Sequence, residues 1–284
     1  MNDKPRSFKT RFLFPVLTTM VIIPMGVALY REMWPQMRVH ELLVRENVSY
    51  PLLSLEVGDD LYDKMRLPDA AGVYKRILRE NPGDYEALWR LARCYSMLGI
   101  LDKNKRRLYI PMAIDYSRRA VRRNDLGFEG HLYLAEALGI SLKYESPKNK
   151  VLRAKEIKNE AERSIRLNPS SYKAYLILGM WHRNVVQAGW FEIQLAHILF
   201  GRIPHAGLDE AVRNLKRSIE LNPDFIKTHY ELALSYAAQN EYNLAIEELE
   251  TTMKCPVTNY QEDKIKANAL AMLGKLRKIV NREA

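Results

Sequence analysis

A short helix-breaking motif recurs along the chain and constrains its fold more than any other feature. Asn-Pro occurs at Asn81-Pro82, Asn168-Pro169 and Asn222-Pro223, and Asn124-Asp125 stands where another copy is expected. Each copy follows a helical pattern with an apolar last turn and precedes a second helical pattern. Because proline cannot continue a helical hydrogen-bond ladder, the sequence predicts a series of helices broken at regular intervals.

Small residues recur where neighbouring helices would have to approach each other closely. On the second helix of each predicted pair this position holds Ile157 in the third unit and alanine in the other four. The alanines are Ala70, Ala113, Ala211 and Ala245. With the Asn-Pro signals, this spacing resembles the tetratricopeptide repeat (TPR), a 34-residue helix-turn-helix unit. The alternative, a non-repeating helical bundle, would require these registers to match by chance.

The three intervals between successive signals exceed the 34-residue unit by 9, 10 and 20 residues. We place these insertions between the first and second helices of their units, at Leu101–Pro111, Lys143–Val151 and Ala188–His205. The sequence therefore predicts an all-α, TPR-type α-solenoid over residues 51–281. It would contain about five helix pairs and a capping helix at Tyr260–Val280, with one concave face.

The amino-terminal region has the character of a membrane-directed segment. Residues 12–30 carry no charge, and a helix of 19 residues spans roughly 28 Å, close to the hydrocarbon thickness of a bilayer. A basic tail (residues 1–11) precedes this segment, and a linker (residues 31–50) follows it. We expect a single-pass transmembrane anchor. The alternatives are a cleaved signal peptide ending near Gly26-Val27-Ala28 and a buried soluble helix interrupted by prolines.

The anchor prediction also sets an expected location. In a bacterium, either an anchor or a signal peptide would place the repeats outside the cytoplasm, in the periplasm or beyond it. In a eukaryote, an amino-terminal anchor would leave them on the cytosolic face of an organelle. The basic residues flanking the segment favour a cytoplasmic amino terminus only slightly.

Composition and motif content argue against catalysis. Cys94 and Cys255 are the only cysteines, which excludes a disulfide framework and a four-cysteine zinc site. The sequence has no paired histidines on one helix, no glycine-rich phosphate loop and no serine elbow. We therefore expect no metal, no cofactor and no enzymatic activity. The net charge of +10 favours acidic partners or anionic membrane surfaces.

Three groups of residues are candidate binding sites. The first should line the concave face, where Arg and Asn side chains can clamp carboxylates of a bound peptide. Its members are Trp89, Arg93, Met180, Arg183, Asn184 and Tyr230. Ordinary solvated surface is the alternative interpretation of these positions.

The second group is a basic patch formed by part of the first insertion and the helix after it. Its members are Lys103, Lys105, Arg106, Arg107, Arg118, Arg119, Arg122 and Arg123. Such a cluster suits phosphate headgroups or an acidic protein tail, and a solvated face is the alternative. Nucleic acid is not expected, because no groove-reading motif or series of stacking aromatic residues accompanies the charges.

The third group is an apolar stretch of the last insertion, with the spacing of an amphipathic helix. Its members are Trp190, Phe191, Ile198, Leu199 and Phe200. This stretch would either form the lip of an apolar groove that holds an acyl chain or simply pack onto the solenoid.

The carboxy-terminal half carries a more specific pattern over roughly residues 150–280. Gly189-Trp190-Phe191-Glu192 and Ile198-Leu199-Phe200-Gly201 lie in the insertion, and Cys255-Pro256-Val257 and Glu262-Asp263-Lys264 lead into the last helix. This pattern resembles the regulator of microtubule dynamics family. The resemblance implies a non-enzymatic protein. One member is anchored in the mitochondrial outer membrane and has a repeat domain that binds and transfers phospholipid, and others associate with microtubules.

Two functions follow from these observations. The first is a membrane-anchored TPR scaffold that mediates protein–protein interaction by binding a protein or peptide partner. The alternative is a repeat domain that binds or transfers phospholipid at a membrane surface. A scaffold requires a polar and charged concave face, whereas a lipid carrier requires a continuous apolar one.

Overall fold

The structure, a computed structural model, describes residues 54–200, 205–257 and 260–283. The helices are α1 (Leu55–Asp63), α2 (Leu67–Glu80), α3 (Tyr85–Leu101), α4 (Arg106–Arg123), α5 (Phe128–Ser141), α6 (Pro147–Leu167), α7 (Tyr172–Val186), α8 (Trp190–Phe200), α9 (Leu208–Leu221), α10 (Ile226–Ala238), α11 (Tyr242–Lys254) and α12 (Tyr260–Glu283). The basic tail, apolar segment and linker predicted over residues 1–50 lie outside the described residues. No helix in the described ranges combines the length and apolarity needed to cross a bilayer.

The helices pack in pairs along the chain. The pairs are α1 with α2, α3 with α4, α5 with α6, α7 with α9, and α10 with α11, and α12 packs on α11 and α10. The predicted all-α solenoid of five helix pairs and a capping helix is therefore confirmed. The apolar core runs along the stack in two clusters that share α7, which contributes Trp181 to one and Leu176 to the other.

Small residues bring the paired helices into close contact. The four alanines predicted to lie at the contact on the second helices are fully buried, and Ile157 in the third unit is also buried. On α7 the corresponding small residue is Gly179. A Cβ atom added there would lie 2.7 Å from Cγ of Leu215 and 3.1 Å from the carbonyl oxygen of Ala211. The α7–α9 contact is therefore too tight for a larger side chain.

The turns between units depend on asparagine as well as proline. The side-chain oxygens of Asn81, Asn124 and Asn168 accept hydrogen bonds from the backbone N–H two residues further on, at 3.3, 3.1 and 3.0 Å. This Asx turn orders the chain as it leaves one helix and enters the next. It explains why Asn124-Asp125 replaces Asn-Pro without loss of the repeat.

Most of the inserted residues lengthen helices. In the last unit, which has no insertion, α10 and α11 have 13 residues each. By comparison α3 and α4 have 17 and 18 residues, which accounts for the nine-residue excess of their unit. In the next unit α6 reaches 21 residues. The third insertion contains a separate helix, α8, which packs against α6.

Two buried histidines tie the first helix of a unit to the second. His229 Nδ1 lies 2.8 Å from a carboxylate oxygen of Glu248, and its Nε2 lies 2.7 Å from the carbonyl oxygen of Pro223. His131 makes the equivalent pair of contacts, with Glu160 and with the carbonyl oxygen of the turn before α5. Burial opposes the charged form, but these hydrogen bonds outweigh it and raise the pKa of both imidazoles.

Gly179→Ala should lower the free energy of unfolding by about 1–3 kcal/mol, because the added methyl group would collide with Leu215 and with the backbone of α9. Gly72→Ala is the matched control. It lies on α2, and no atom lies within 4 Å of its added Cβ, so it should stabilise the protein by up to about 1 kcal/mol. Urea denaturation compares the two variants. Equal effects would contradict the close α7–α9 contact.

The double variant His131→Gln, His229→Gln should remove a pH-dependent part of the stability. Because folding raises the pKa of both rings, their stabilisation is complete below the ordinary value of about 6.5 and is lost as the pH rises through the folded pKa. The stability difference between the wild type and the variant should be larger at about pH 5.5 than at about pH 9. Denaturation midpoints measure it, with the exposed His197→Gln as control. A difference independent of pH would be inconsistent with charged rings.

Candidate functional site

The concave side of the helix stack encloses a cavity of about 1870 Å³. It is lined by the first helices α3, α5, α7 and α10, by α6 and α8, and by the start of α12. Pockets for small ligands usually measure about 300–1000 Å³. The cavity is therefore large enough for a long acyl ligand or a segment of polypeptide.

The three insertions build one wall of this cavity. The first contributes Lys103 and Arg106, the second contributes Lys143 and Lys150, and the third contributes α8 with the residues before it. The insertions occur at the same point in three successive units, so stacking of the units aligns them along one side. The lengthened helices thus deepen the concave groove into a cavity.

The floor of the cavity is apolar and its edges are charged. Apolar side chains from five helices meet along the floor: Met97, Ile140, Ile157, Leu176, Met180 and Ile193. Among the lining residues, nine basic side chains accompany five acidic ones. The cavity therefore offers a continuous apolar surface within a predominantly positive surround, which suits an amphiphilic anion.

The structure brings together four of the six residues predicted for the concave face. Arg93, Met180, Asn184 and Tyr230 all line the cavity. Trp89 and Arg183 do not line it, and they are buried in the protein at 8% and 6% exposure.

Arg93 is held in place by the first helix pair. Its Nη2 donates a hydrogen bond of 2.7 Å to Asp59, and its guanidinium lies 3.8 Å from the ring centroid of Tyr62. Asp59 also accepts hydrogen bonds from Tyr74 and Arg90. Burial opposes ionisation of this carboxyl, but the hydrogen bonds and charges outweigh burial and lower its pKa. Arg93 is therefore already paired within the protein.

Trp89 and Arg183 each contact a residue that lines the cavity. Trp89 stacks on Tyr133, which lines the cavity, with the ring centroids 5.5 Å apart. Arg183 forms an ion pair of 2.6 Å with the carboxylate of Glu231, and its Nη1 donates to the backbone oxygen of the same residue. These contacts join α7 to α10 across a unit boundary.

The predicted basic patch is spread along α4 and does not form one surface. At one end, Lys103 and Arg106 line the cavity, Lys105 lies 3.9 Å from Asp102, and Arg107 lies over the ring of Tyr144. A helix of 18 residues is about 27 Å long, so the arginines at the other end of α4 lie far from this group.

Several arginines near the carboxyl end of α4 have structural partners. Arg118 pairs with Glu156 at 2.7 Å. Arg119 and Arg123 donate to the carbonyl oxygens of Pro82 and Gly83, in the turn between α2 and α3. Arg122 is exposed. Arg119 and Arg123 thus bind the turn that leads into their own unit.

The apolar insertion forms α8, with one face on the cavity. Ile193, Ala196 and Phe200 line the cavity, whereas Leu199 is half-buried and Ile198 is 79% exposed. The side chains of Trp190 and Phe191 lie outside the described part of the protein. The cavity-facing residues recur about every three to four positions, as expected for one face of a helix.

Other lining residues could not be recognised from the sequence. Lys143 and Lys155 line the cavity from the third unit, Lys173 from the fourth and Lys227 from the fifth. They lie far apart in the chain and belong to no motif. From the sequence, they could have been assigned to the concave face only by comparing equivalent positions in all the repeats.

The described residues hold neither a metal-binding cluster nor an activated thiol at Cys94. No three His, Cys, Asp or Glu side chains within them converge as a metal site would require. Burial raises the pKa of the Cys94 thiol to about 12, which keeps it protonated and unreactive at neutral pH.

Helix pairs stacked about small residues, Asx turns between units and a concave cavity define a TPR-type helical repeat protein. The fold is similar to that of TTC0263, a thermophilic TPR protein of Thermus thermophilus. The TM-score is 0.55 and the identity 22%, over 76% of this chain and 97% of that one. It is also similar to that of Pseudomonas aeruginosa PilF, with a TM-score of 0.50 and 13% identity over 78% and 89% of the two chains.

Within this class, the family described as regulator of microtubule dynamics protein 1-3 matches residues 54–277, and the chain belongs to this family. Regulator of microtubule dynamics protein 1 of Mus musculus is 26% identical over 273 residues, which are 94% of this chain and 85% of the mouse protein. Regulator of microtubule dynamics protein 2 of Homo sapiens is 26% identical over 226 residues, 77% of this chain and 55% of the human protein. The resemblance drawn from the sequence is confirmed.

Proposed function

We propose that the protein is a non-catalytic scaffold that binds a segment of a protein partner in the cavity on its concave face. The observation that carries this proposal is the cavity itself, which the first helices of four successive units line together. Polar side chains such as Asn184 and Tyr230 project among the apolar ones, as a peptide site requires. The relatives' names point to a protein partner, and the net charge of +10 suits an acidic one.

The continuous apolar floor favours phospholipid binding as a second candidate function. Ile193, Ala196 and Phe200 of α8 extend the floor toward the third insertion, in the position of a lip over an acyl chain. The basic side chains around the cavity suit an anionic headgroup. In this case the same cavity would hold a lipid at a membrane surface.

Ile193→Glu should weaken occupation of the cavity in either case, because it places an unpaired charge on the apolar floor. Ile198→Glu, the same change on the exposed side of α8, is the matched control. Native mass spectrometry with lipid extraction detects bound lipid, and binding of a fluorescently labelled fatty acid measures affinity. We expect Ile193→Glu to weaken binding about tenfold or more and Ile198→Glu to leave it unchanged.

The two functions separate in the same experiment. Lipid that co-purifies with the wild type and is lost only in Ile193→Glu supports the lipid function. Absence of lipid, together with a cross-linked protein partner that only Ile193→Glu loses, supports the scaffold function. Equal behaviour of Ile193→Glu and Ile198→Glu in both assays would show that the cavity is not the binding site.

We also propose that residues 12–30 anchor the protein in a membrane, with the repeats outside the cytoplasm of a bacterium or on the cytosolic face of a eukaryotic organelle. Support comes from the 19 uncharged residues and the basic tail before them. Protease treatment of intact cells or organelles, with a tag after residue 284, tests the proposal. The tagged chain should sediment with membranes after a carbonate wash and lose its tag to protease. A chain recovered in the soluble fraction would contradict anchoring.

A further inference from the structure

The last helix, α12, has the register of the first helix of a further repeat unit. α10 begins at residue 226 and α12 begins at residue 260, which is 34 residues later, the length of one TPR unit. Ala267 therefore stands at the position of Ala233, and Leu270 stands at that of Tyr236. α12 thus corresponds to the first helix of a sixth unit.

In complete units, the second helix covers this side of the first helix. Ala233 and Tyr236 of α10 are buried. His229, one turn before Ala233, reaches across to the carboxylate of Glu248 on α11 at 2.8 Å. The close α7–α9 contact at Gly179 uses the same position as Ala233. These residues therefore mark the side of a first helix that binds its second helix.

On α12 the equivalent side is uncovered. Leu270 is 61% exposed, and a Cβ atom added at Gly274 would have no atom within 4 Å. The other side of α12 is buried on α10 and α11 through Leu273 and Leu276. The uncovered residues recur every three or four positions, so they share one side of the helix, which we call the open face. It consists of Asp263, Ala267, Leu270, Ala271, Gly274 and Lys278, all of them exposed.

The open face is complementary to itself in the reverse direction. Antiparallel pairing of two copies about the midpoint of Leu270 and Ala271 sets the large side chain of each copy against the small one of the other. The small residues on either side of this midpoint also oppose each other. At both ends, Asp263 of one protomer lies opposite Lys278 of its partner. The same face thus supplies both halves of a helix–helix contact.

We infer that the open face binds the open face of a second copy, so that the protein forms a dimer through an antiparallel α12–α12 pair. Such a contact is isologous and contains each complementary pair twice. The small residues allow the two helices to approach closely, as paired helices do within the stack. Arg277, at the edge of the face, is already ion-paired with Glu250 of its own chain at 2.7 Å. The inference does not depend on which ligand the cavity holds.

Leu270→Glu tests the dimer, with Leu126→Glu as the matched control. Leu126 lies in the turn before α5 and is 73% exposed, so the same substitution is made at a similarly exposed leucine. Sedimentation equilibrium of the full chain in a non-ionic detergent measures association, and thermal denaturation verifies folding. We expect a dimeric wild type and a dissociation constant raised about tenfold or more in Leu270→Glu. The reason is that each dimer would lose two buried leucines and gain two buried charges. Leu126→Glu should associate as the wild type does.

Charge reversal tests the antiparallel register. Asp263→Lys and Lys278→Asp should each weaken dimerisation severalfold, because like charges then oppose each other at both ends of the contact. A mixture of the two variants should recover the affinity of the wild type, because each base then faces an acid of the partner. A fluorophore on one variant allows sedimentation to report the mixed dimers.

Three results would overturn the inference. A monomeric wild type would leave the open face to a helix of another protein. Equal association of Leu270→Glu and Leu126→Glu would place the contact elsewhere, for example in residues 12–30. A dimer that Leu270→Glu weakens but that does not re-form in the charge-reversal mixture would exclude the antiparallel α12–α12 pair.

Discussion

The close approach of paired helices is the contact on which the rest of the structure depends. Fully buried alanines on the second helices, and Gly179 on α7, allow backbones to meet where a larger side chain would collide. No disulfide assists, since Cys94 and Cys255 are both free and buried. Each unit contacts mainly its neighbours, so the curvature of the concave face accumulates from these local contacts.

The cavity arises because insertions follow the periodicity of the repeats. In a regular TPR array, a concave face is an open groove between first helices. Here helix extensions and α8 rise on one side of three successive units and close that groove. The extensions preserve the same packing rule, since a Cβ added at Gly99 on α3 would lie 2.5 Å from Ile110 on α4. Close contacts between helices thus both stabilise the stack and hold the extended helices that border the cavity.

The sequence predicted the features that follow from local residue patterns. It missed the contacts between residues that lie far apart in the chain. Helix number, pairing and the concave position of Arg93 followed from periodicity. The basic patch did not form one surface, because residues close in the chain lie at opposite ends of an 18-residue helix. Neutralisation of Arg93 by Asp59, 34 residues earlier, has no sequence signature. The same holds for Lys143 and Lys227, which only the fold brings together.

The cations in and around the cavity differ in their partners. Arg93 and Arg183, which belong to the repeat helices themselves, are paired with Asp59 and Glu231 and join neighbouring helices. By contrast Arg106, at the start of a lengthened helix, donates to backbone carbonyls and keeps a net charge toward the cavity. Lys143, which also lines the cavity, comes from an insertion as Arg106 does. Under the proposed function, the insertions therefore supply cations that a ligand in the cavity would meet, and proteins with similar repeats but different insertions should select different ligands.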